Sequence, residues 1–167
     1  MLRKGFPTLV APAVIHSQII FLDKNPIMPD NRKMVNDLIA ESLSAVDAVD
    51  SPDDAAFQLA LLLAYNVCLE AADHDEAHSD RWTFAGLAIH DSYDRLTREL
   101  PDATVAVSSP VTSAFEPEEV RASAAGLVAG LAARAGTAAV SESHSPWRRL
   151  AWSSVATHLN RALQELP

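Results

Sequence analysis

Residues 55–72, AAFQLALLLAYNVCLEAA, limit what this chain can fold into more than any other stretch. They contain no Pro or Gly, and Ala, Leu, Gln and Glu all favour helix. At 3.6 residues per turn, Leu59, Leu61, Leu62, Leu63, Val67 and Leu69 cannot share one face. A helix apolar on all sides is either buried on most of them or crosses a membrane. Gln58, Tyr65, Asn66 and Glu70 fall within the would-be span, and Asp53, Asp54 and Asp73 flank it. Such groups are expensive in hydrocarbon. The stretch therefore reads as a central buried helix, about 54–73, of an all-α bundle, and no membrane is expected.

A chain of 167 residues fits one domain, here 1–167, and can bury about two-thirds of its unfolded surface. With 49% hydrophobic and 21% charged residues, it has the composition of a packed domain. The net charge of -9 opposes a phosphate backbone, so nucleic acid is not an expected partner. Cys68, the single cysteine, has no intramolecular disulfide partner and sits where a small hydrophobe would pack. The N-terminal apolar run is broken by Pro7, Pro12 and His16 and lacks a clear small-residue cleavage site, which favours a cytoplasmic protein.

Helical periodicity then divides the chain. Residues 12–24 suit either a strand or a helix begun by Pro12; without a second convincing strand to pair with, helix is preferred. A helix over about 31–49 places Met34, Val35, Leu38, Ile39, Val46 and Val49 inward. Another, over about 80–100, has the stripe Trp82, Ala85, Ile89, Tyr93, Leu96 and Leu100 and is closed by Pro101. The polar run Asp73–Asp80 separates it from the central helix, unless the two form one long kinked helix. Residues 101–116, with two Pro and several Ser and Thr, read as a long mobile loop. Pro117, Glu118 and Glu119 open a further helix whose inward face is Val120, Ala124, Leu127, Leu131 and Ala135. Its second face, Ala122, Ala125, Gly126, Ala129, Gly130 and Ala133, would admit a very close neighbour, either within the chain or from a second molecule. Gly136 to Ser145 reads as a loop. Ser145 and Pro146 start the last helix as N-cap and first helical residue, with an apolar arc that includes Trp147, Trp152, Val155 and Leu159. Five or six helices result.

One cluster has the residue types for metal chemistry. Glu70, His74 and His78 are spaced four apart and would share a side if the helix ran through them. A hairpin turning near 80 would place His90 opposite Glu70 and Asp94 opposite Asn66. Glu70, His74, His78 and His90 would then be ligands for a divalent metal such as zinc, iron or manganese. Asp94 would be the neighbouring base. A turn centred near 76 would shift the partners by about two turns and dissolve the set. The metalloprotease spacing needs Glu after the first His, and Asp75 stands there.

The dipeptide His90-Asp91, preceded by His74-Asp75, is similar to the His–Asp pair of the helical metal-dependent phosphohydrolases named after it. In that family a Gly-containing turn usually follows; here Ser92, Tyr93, Asp94 and Arg95 continue the helix. The likeness covers these few residues and identifies no family. No nucleophile elbow and no Gly-rich phosphate loop is present.

The expected function is association, with itself or with a partner chain through residues 122–133, without catalysis. The alternatives are a metal-dependent hydrolase-like bundle enzyme, and a small-molecule binder with an inter-helix pocket beside Trp82, Tyr93 or Tyr65.

Overall fold

A computed structural model describes residues 31–47, 55–99 and 117–167. Among these residues the fold is all-α, with five helices: α1 Asn31–Asp47, α2 Ala55–His74, α3 Ser79–Glu99, α4 Pro117–Val140 and α5 Pro146–Glu165. Residues 12–24 and 101–116, read above as helix and loop, lie outside the described residues.

Four helices form a ring in the order α2, α3, α5, α4, and α1 lies against α2 and α4. Side-chain contacts fix the directions. The Arg81 guanidinium donates to the carbonyls of Gln164, Glu165 and Leu166, so α5 ends where α3 begins. Arg121, in the first turns of α4, reaches Asp75 in the turn after α2. Arg134 donates to the carbonyls of Val46 and Asp47, so α1 runs parallel to α4 and ends beside its second half. Every neighbour around the ring is thus antiparallel. The described end of α3 and the start of α4 therefore lie at opposite ends of the bundle.

The central stretch is buried where the fold requires it. Leu61, Ala64, Val67 and Cys68 have no exposure, and α1, α3 and α4 all pack on α2. Its surplus of apolar residues is left outside: Leu59 and Leu69 are exposed. Diagonally across the ring, Phe57 meets Trp152 edge-to-face, with ring centroids 5.2 Å apart. That geometry is worth about 0.5–1.5 kcal/mol beyond area burial. Trp82, Ile89, Leu127, Leu131 and Leu159 complete the core.

Helix ends follow local chemistry. The Ser145 hydroxyl accepts from the Arg148 amide at 3.3 Å, with Pro146 in the first turn, as the sequence predicts. The α2–α3 break is a real turn, not a kink in one long helix. Two expectations fail. α4 does not stop before Gly136 but runs to Val140, because Ala135 and Ala138 face the core and anchor another turn. Trp147 is 63% exposed instead of lining the core. By length and composition, α2 and Glu118–Val140 of α4 could each cross a membrane, a test that core helices of soluble proteins also pass; less than half of either apolar window is buried.

Candidate functional site

The α2–α3 hairpin decides the fate of the proposed ligand set. α2 ends at His74, and Asp75–His78 make the turn, with the His78 amide donating to the Asp75 carbonyl at 3.1 Å. The register follows from two contacts. A Cβ on Gly86 would lie 3.3 Å from the Cβ of Cys68. The Tyr65 ring lies 5.3 Å from the His90 ring. His90 is therefore opposite Tyr65. Glu70 and His74 are five and nine residues further along α2, about 7 and 13 Å along the axis at 1.5 Å per residue.

The four residues accordingly divide. The His74 Nε2 pairs with Glu70 Oε1 at 3.4 Å across one helical turn. His78, beyond the end of α2, turns its Nδ1 to Asp75 at 3.1 Å. His90 is exposed, on the ring of Tyr65. Asp94 pairs with Arg98 on the outside of α3. Among the described residues, no three His, Cys, Asp or Glu side chains gather as a metal site would need. His90-Asp91 lies within unbroken α3, with no turn after it.

What the hairpin does build is a carboxylate centre at Asp75. Its Oδ2 accepts from the indole Nε1–H of buried Trp82 at 3.0 Å, and both oxygens lie 3.1 Å from the His78 Nδ1. The Arg121 guanidinium of α4 stands 3.6 Å away. The indole hydrogen bond, and after it the contacts with His78, hold the Asp75 carboxyl below the usual carboxylate range. Partial burial acts the other way and loses; only 12% of the side chain is exposed. A carboxylate so well supplied with donors stays ionised and ties the α2–α3 turn to α4. It is a poor proton acceptor, since its lone pairs are engaged and its basicity is lowered. The sequence reading missed this centre. Its one signal is a Trp seven residues after an acid across a polar turn, and Asp73 and Asp80 flank that turn without sharing the role.

Cys68 is equally unsuited to chemistry. Burial pushes its thiol up to about 12, so the nucleophilic thiolate is absent at neutral pH.

The small-residue face of α4 is divided by its surroundings. Gly130 faces α1, where an added Cβ would come within 2.7 Å of Leu43 Cδ2. Ala125 is half-buried, and Ala122, Gly126, Ala129 and Ala133 are exposed. A Cβ on Gly126 or Gly136 would meet nothing within 4 Å. The outward line continues through Thr137 to Val140, 75% exposed, without a charged residue after Glu119. Helix-interior glycine costs about 1 kcal/mol relative to Ala. Contact with α1 accounts for it at Gly130; no described neighbour does at Gly126.

No protein-family model matches the chain, and neither a curated protein nor a solved structure is similar to it.

Proposed function

We propose that this protein acts by association, and that the outward side of α4 receives a helix from a partner chain. The observation that carries this is the uncharged line from Ala122 to Val140, which has open space at Gly126 and Gly136. Small residues allow two helix backbones to approach closely, and exposed Val140 supplies an apolar anchor at one end. The groups that might have carried chemistry support the same reading by their occupation elsewhere: Asp75 in holding the turn, His78 on Asp75, and Glu70 on His74.

The test compares the wild type with Ala129→Glu, which places a charge mid-line on an exposed position. A partner retained by the wild type should be lost by the variant at unchanged circular dichroism, and should rebind the wild type once purified. Failure to retain any partner, or retention indifferent to Ala129→Glu, removes the proposal.

A further inference from the structure

We draw no further inference here: the strongest candidate, the apolar surface patch of Phe84, Leu87, Trp147 and Leu150 on the outer face of α3 and α5, is unpartnered, and nothing in the structure shows what covers it.

Discussion

Two sides of α4 are built from the same small residues and end differently. On one, a Cβ at Gly130 would come within 2.7 Å of the tip of Leu43 of α1, so that leucine would have to give way. Arg134, one turn on, reaches over to the last carbonyls of α1. On the other, Gly126 and Gly136 face open space, and Ala122, Ala129 and Ala133 are exposed. Residue type alone does not distinguish a packed helix side from an open one. The neighbour does, and α1 is there because its own apolar residues, Val35, Ile39 and Val46, must be buried somewhere.

The contrast is easiest to break with a bulky side chain. Gly130→Leu forces α1 outward and should cost about 1–3 kcal/mol, the usual range for overpacking. Gly126→Leu, four residues earlier, should stay within about 0.5 kcal/mol of the wild type or gain slightly from helix propensity. Urea unfolding of both variants gives the comparison directly; equal losses would show that the two sides are not different. Arg134→Ala removes two hydrogen bonds to the end of α1, at 2.9 and 2.6 Å, and should cost about 1 kcal/mol. Full stability in that variant would mean that packing of Leu43 on α4 suffices. Gly126→Ala should raise the stability of the isolated chain by up to about 1 kcal/mol. If a partner helix docks there, the same change should weaken its binding, a trade that a purely solvent-facing glycine would not produce.

The same contrast shows how much the sequence could tell. Helices and their starts were legible because they are local: Ser145-Pro146, Pro117 with Glu118 and Glu119, and the periodic apolar stripe of α3 all act within a turn or two. What depends on a neighbour was not. The small-residue set on α4 reads as one face, yet α1 covers Gly130 and leaves Gly126 open. Trp147 reads as core by periodicity, yet its side chain is left outside while Trp152, five residues on, is buried. The metal set at Glu70, His74, His78 and His90 depended on where a polar run would turn. Asp73–Asp80 has no apolar residue except Ala77 to fix that point, and the turn lies at Asp75–His78 instead of near 80. A shift of a few residues at a hairpin is doubled across its arms, which is enough to part His90 from Glu70.

That turn is itself held by Asp75, and acid should loosen it. The folded chain holds its carboxyl below the ordinary 3.8, chiefly through the Trp82 indole. A group depressed on folding stabilises fully above its unfolded value, and that contribution is lost as pH falls through the folded one. Between neutrality and about pH 5 no change from this group is expected; below the ordinary carboxylate range, the thermal midpoint should drop. Asp75→Asn keeps an acceptor for the indole but loses the charge that faces His78 and Arg121. It should therefore lower the midpoint at neutral pH and flatten the acid limb, so that the two curves converge in strong acid. Parallel curves for wild type and variant would mean that Asp75 is not the group through which acid acts on this end of the bundle. Arg121→Met separates the contributions further: if the tie from the turn to α4 matters, its midpoint falls at neutral pH, and little of the difference remains once Asp75 is protonated.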